Sequence, residues 1–140
     1  MFSGLDRYER YGPMVLRIGI GLTMLFSGLA KVTGLTGVTR FFGGLGIPLP
    51  GLMAPFVAYS ELLGGIALLL GLGVRAVGLL FTIIMLVAML TTKVLAPAPP
   101  GGLTFNALRL ELLILTGSLA LAFTGAGELS FDEFLHTRRT

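Results

Sequence analysis

The sequence has no cysteine, no tryptophan and a single histidine, His136, near its C-terminal end. Without cysteine the chain forms no disulfide, runs no CxxC exchange and holds no iron–sulfur cluster by itself. One histidine excludes a haem ligated by two imidazoles of the same chain. No motif for a metal or a flavin is present, so no metal site is expected. Charge is scarce too: 12% of the residues are charged, and the net charge of +3 is spread without a dense basic patch. Nucleic acid is therefore not an expected partner.

What fills the chain instead is apolar sequence. Of its 140 residues 54% are hydrophobic, the mean hydropathy is +0.92, and the excess is carried by long runs rather than by scattered core positions. Four segments, 13–32, 53–72, 75–96 and 103–124, approach the roughly 20 residues that a spanning helix needs. The 21 glycines lie among leucines, which suits helices packed closely in lipid rather than a flexible linker. The expected fold is all-α: an integral membrane four-helix bundle, one domain over 1–140, whose surroundings are membrane lipid.

The connections add detail. Pro13 suits the start of a helix, where its missing N–H is not needed. "GLGVR" at 71–75 is short enough to make the second and third helices antiparallel neighbours, and "APAPPGG" at 96–102 stops the third. The longest connection, about 33–52, is itself apolar and is expected to fold back over the bundle with a short helix around Val38 to Phe42. Arg17 interrupts what would be the apolar core of a signal peptide, so the first helix is read as retained. Arg7, Arg10, Arg75, Arg138 and Arg139 lie on the side of the termini, against Lys31, Arg40 and Lys93 opposite. That bias places both termini in the cytoplasm of a prokaryotic cell, with a multi-pass protein in its inner membrane. "ELSFDEFLHTRR" has Ser130 and Glu133 at capping-box spacing and Phe131, Phe134 and Leu135 on one face, which predicts a short C-terminal amphipathic helix.

Against this apolar background the charges inside the spans stand out. At about 1.5 Å per residue, Glu61 lies some 12 Å deep, Glu111 about 12 Å and Arg109 about 9 Å, in one layer that Arg17 could reach from the opposite side. A charge near a helix centre costs roughly 2.5 to 3.5 kcal/mol on insertion scales, so pairing is expected. Arg109 and Glu111 are about 200° apart around their helix, so at least one seeks a partner elsewhere. Glu61 is the natural candidate, paired with Arg109 or Arg17. Arg17, Gly21, Met24, Gly28 and Lys31 form one stripe on the first helix, and Glu61, Gly64, Gly65 and Leu68 the matching stripe on the second. Lys31 and Lys93, at helix ends, read as snorkelling anchors. The polar layer of Arg17, Tyr59, Glu61, Arg109 and Glu111 is then either an ionic clasp that fixes helix register or a small pocket for a quinone head group or a proton.

Three stretches carry a family likeness: "LRIGIGLTMLFSGLAKVTG", "GIPLPGLMAPFVAYSELLGGIALLLGLGVR" and "ELLILTGSLALAFTGAGELSFDEFL". Together they resemble the DoxX family of small four-helix membrane proteins. The specific elements are Arg17, the Gly28-to-Lys31 ending, the "GIP" turn, the "ELLGG" around Glu61, and a GxGxxSxD tail formed by Gly125, Gly127, Ser130 and Asp132. The resemblance implies the fold and an association with redox and sulfur chemistry, since related members form membrane subunits of thiosulfate:quinone oxidoreductase. It assigns no reaction to this chain.

The combined expectation is an inner-membrane subunit or accessory of a quinone-linked redox complex, in contact with other membrane subunits and with quinone as the cofactor that suits its polar layer. Two alternatives stand beside it. One is a purely structural subunit that packs against a larger membrane complex and stabilises it. The other is a small transporter, which the third helix, uncharged from Ala76 to Thr92, disfavours.

Overall fold

The computed structural model describes residues 3–91, 105–127 and 129–138, with side chains for 4–91, 109–127 and 129–138. All regular elements among them are helical. A short α1 (Ser3–Asp6) and a 3-10 turn (Glu9–Tyr11) lead into α2 (Gly12–Thr33), followed by α3 (Leu35–Gly44), α4 (Pro50–Leu70), α5 (Val74–Met89), α6 (Phe105–Thr124) and α7 (Phe131–Arg138). The helical run Glu9–Thr33 has 25 residues and Pro50–Leu70 has 21, and both are long and apolar enough to cross a bilayer. The apolar α5 has 16 residues of regular helix.

Proline and glycine set most of these boundaries. Pro50 starts α4 three residues before the expected Met53, since a proline suits the first helical position. At its other end Gly71 adopts φ +71°, and Gly73 adopts φ +59° at the start of α5, so the whole reversal takes three residues. A β-carbon at Gly71 would meet that of Ser130 at 2.3 Å, so two demands fall on this glycine at once. The α3 helix is longer than the short helix expected around 38–42. The expected end of the third helix at 96, the "APAPPGG" turn, Lys93 and the first two residues of the 103–124 segment lie outside the described residues.

The four longest helices pack mainly as two antiparallel pairs, α2 with α4 and α5 with α6. Glycine permits the close approach in both. A β-carbon added at Gly28 would lie 2.3 Å from the Leu62 nitrogen, one at Gly65 2.6 Å from the Leu25 nitrogen, and one at Gly21 3.1 Å from the Gly65 oxygen. Gly78 plays the same part for α5 against the Ser118 carbonyl, 2.6 Å from the added atom. Gly64 departs from the expected stripe: its face meets the Phe81 ring of α5, not α2. Between the pairs sit Met24, Leu68, Phe81 and Leu121, all buried. Outside, Phe26, Leu63, Leu113 and Phe123 are exposed, the arrangement of a surface solvated by lipid rather than water. The side chains of Phe131, Phe134 and Leu135 on α7 are exposed as well.

Candidate functional site

The buried and half-buried charges that the structure describes inside the long helices gather at two ends. At the end bearing the termini, Arg17 is 2% exposed. Its Nε donates to the Ala126 carbonyl at 3.0 Å, its Nη1 to those of Leu68 and Leu69 at 2.9 Å each, and its Nη2 to that of Leu129. Leu68 and Leu69 are in the last turn of α4, where carbonyls run short of helical donors; that of Leu68 also accepts from the Gly71 amide at 3.1 Å. The guanidinium thus caps α4 and fastens the segment after α6 to it. Arg75 does the same for α6, donating through Nη1 to the carbonyls of Ala122 and Phe123. The Asp132 carboxylate accepts from the Gly73 and Val74 amides at 2.8 and 2.9 Å, capping the start of α5, while its own amide donates to the Gly71 carbonyl at 3.0 Å. Ser130 accepts from the Glu133 amide at 3.1 Å and so starts α7. The residues of the GxGxxSxD tail therefore form a clamp over three helix ends.

At the opposite end the two pairs diverge around a cavity of about 630 Å³, walled by α2 to α6. Its lining is mostly apolar, with Phe41 and Phe42 from α3 and Met24, Met53 and Met85 from the long helices. One polar cluster breaks it. The Lys31 ammonium donates to Oε1 and Oε2 of Glu61 at 2.6 and 2.7 Å, and the Ser27 hydroxyl donates to Oε2 at 2.8 Å. The Glu61 side chain is 1% exposed and that of Lys31 30% exposed. Thr23, Ser27 and Lys31 follow one another every fourth residue along the wall formed by α2. Glu111 reaches the lining from α6, half-buried.

The partner of Glu61 corrects the expected pairing with an arginine. Helical side chains lean toward the N-terminus of their own helix. Lys31, near the far end of α2, therefore leans back over the turn that holds Ser27, while Glu61 on the antiparallel α4 leans toward it. The same rule sends Arg17 the other way, out of the layer and onto the carbonyls of the clamp. Arg109 is exposed on α6 and does not line the cavity. Tyr59, 46% exposed, faces outward on α4. Of the expected layer, the cavity therefore unites Glu61 and Glu111, joined by Lys31, which reads in sequence as an anchor. The signal was the i, i+4 spacing of Ser27 and Lys31 beside Gly28, on the stripe that must touch Glu61.

Comparison with known proteins agrees with the sequence likeness. The DoxX family model matches residues 12–94. The chain is 37% identical over 131 residues, 94% of its length and 92% of the relative's, to "Putative oxidoreductase CatD" of Bacillus subtilis (strain 168). It is 30% identical over 137 residues, 96% of its length and 99% of the relative's, to "Inner membrane protein YqjF" of Escherichia coli (strain K12). No solved structure gives a significant match. The chain belongs to the DoxX family of membrane proteins.

Proposed function

We propose that the protein is a redox-associated, multi-pass protein of the bacterial inner membrane, with both termini cytoplasmic, and that its cavity receives a quinone head group while it serves as a subunit or accessory of a larger redox complex. The observation that carries this is the cavity of about 630 Å³ with a charge pair in its wall. That volume falls within the range for small-molecule sites, and so does the lining, apolar with a few convergent polar groups. A quinone fits it: flat ring against methionine and phenylalanine, carbonyl toward the ammonium. The name of the Bacillus relative supports the redox association, and that of the Escherichia relative the inner-membrane location.

A purely structural subunit is the second reading, favoured by the satisfaction of Glu61 within its own chain. It ranks lower because a clasp alone has no use for a cavity beside it. Gentle purification from native membranes, followed by extraction and mass spectrometry of bound lipids and proteins, separates the two. Quinone retained in stoichiometric amount, together with redox partner subunits, is the expected result. A preparation that retains partners but no quinone favours the structural reading.

A further inference from the structure

We infer that Lys31 reads the ligand of this cavity, and that the Lys31–Glu61 pair selects a neutral, planar carbonyl compound over a carboxylate amphiphile of the same size. This rests on the proposal that the cavity takes a ring-bearing apolar ligand, and adds to it which atom is recognised and which charge is refused.

Three observations lead there. First, the pair presents a donor. Glu61 is 1% exposed, with both its oxygens bonded to Lys31 and one also to Ser27, whereas the Lys31 side chain is 30% exposed. An ammonium has three protons, and Glu61 takes two of them. The third is available to an acceptor on a ligand such as a carbonyl oxygen. Second, the pair is neutral as a whole, because the carboxylate lies 2.6 Å behind the ammonium. An anionic head would meet an ammonium already compensated and would lose its hydration on entry. A neutral carbonyl has no such cost. Third, the walls suit a flat ring: Met24, Met53 and Met85 bring adaptable thioethers that contact ring edges, and Phe41, Phe42 and Phe56 add aromatic faces.

The test uses two compounds with one body and different heads, 2,3-dimethyl-1,4-naphthoquinone and 2-naphthoate. Their binding is measured by equilibrium partition into nanodiscs that carry the full-length protein, corrected by empty nanodiscs of the same lipid. The naphthoquinone is expected to bind at least about tenfold more tightly than the naphthoate, the ratio that one charge-assisted hydrogen bond supplies. Lys31→Met alone strands a buried carboxylate and risks misfolding, so the decisive variant is Lys31→Met/Glu61→Gln, which removes both charges. In that variant, with its helical content and melting behaviour retained, naphthoquinone affinity is expected to fall about tenfold and naphthoate to bind no better than before. Equal or tighter binding of naphthoate by the wild type overturns the selectivity, and undiminished naphthoquinone binding by the folded double variant overturns Lys31 as the reader. If neither compound binds the wild type, the ring-ligand proposal itself fails, and this inference with it.

Discussion

The two ends of the molecule use buried charge in opposite ways. At the end of the termini, Arg17 is tied to the fold: it donates to the carbonyls of Leu68, Leu69, Ala126 and Leu129, the Asp132 carboxylate attracts it, and a β-carbon on Gly71 would approach its guanidinium carbon to 3.1 Å. At the α3 end, Glu61 and Lys31 are bonded to each other, yet the pair borders about 630 Å³ of space. A charge enclosed by carbonyls ties the chain to itself. A charge pair at the edge of a cavity is still able to meet a ligand. The difference argues that the two antiparallel pairs, α2 with α4 and α5 with α6, are fastened at one end so that the other can remain apart.

The strongest way to break this comparison is to remove the clamp. Arg17→Leu keeps an apolar side chain of useful size but takes the guanidinium from the carbonyls of Leu69, Ala126 and Leu129, and leaves that of Leu68 with the Gly71 amide alone. Each such buried group costs about 1 to 3 kcal/mol, so a loss on the order of 4 kcal/mol or more is expected. Melting of the purified protein in detergent measures it, and a loss below about 1 kcal/mol, within the reach of a surface change, would show that the clamp is dispensable. Arg17→Lys should recover only part, since a single ammonium cannot reproduce the planar fork that spans α4 and the tail segment.

Next in size is the pair itself. Lys31→Met leaves the Glu61 carboxylate buried without its counter-charge, and breaking a buried pair costs about 3 to 5 kcal/mol when both partners are enclosed. Lys31 is part-exposed, so about 2 to 3 kcal/mol is expected. Adding Glu61→Gln should restore most of the stability, because two compensated charges replaced by neutral groups of similar volume are often neutral in effect. The double-mutant cycle checks this: a coupling below about 0.5 kcal/mol, the level found for independent sites, would mean that the two residues do not act as a unit.

Much of this was legible in the sequence, and the errors have a common source. The starts of α2, α4 and α5, at Gly12, Pro50 and Val74, lie within three residues of the positions that hydropathy indicates, since proline and glycine punctuate the chain at Pro13, Pro50 and Gly71. The close-packing glycines of α2 were legible from their stripe. What composition could not supply was the direction in which a side chain leans. Depth counted at the Cα put Glu61 beside Arg109 and left Lys31 at the surface. With side chains leaning toward the start of their own helix, Lys31 moves inward and Arg17 moves away. The work of Asp132 was hidden for a different reason: it caps α5 from 58 residues away, and no local capping pattern can reveal a cap borrowed from another part of the chain.

That borrowed cap gives the smallest effect and the sharpest separation of the two ends. Asp132→Ala removes the acceptor of the Gly73 and Val74 amides but leaves the backbone bond from residue 132 to the Gly71 carbonyl possible. A capping side chain contributes about 1 kcal/mol. Water can meet the freed Gly73 amide, but Val74 is buried and Asp132 also attracts the Arg17 guanidinium, so the loss should lie at about 1 to 2 kcal/mol. Arg17 and Arg75 continue to hold the other helix ends, so the pairs should keep their spacing at the cavity. Naphthoquinone affinity, measured in nanodiscs as for the wild type, is therefore expected to be unchanged while the melting temperature falls. A variant that keeps its stability but loses binding would show that the clamp acts on the cavity rather than beside it, and the independence of the two ends would be wrong.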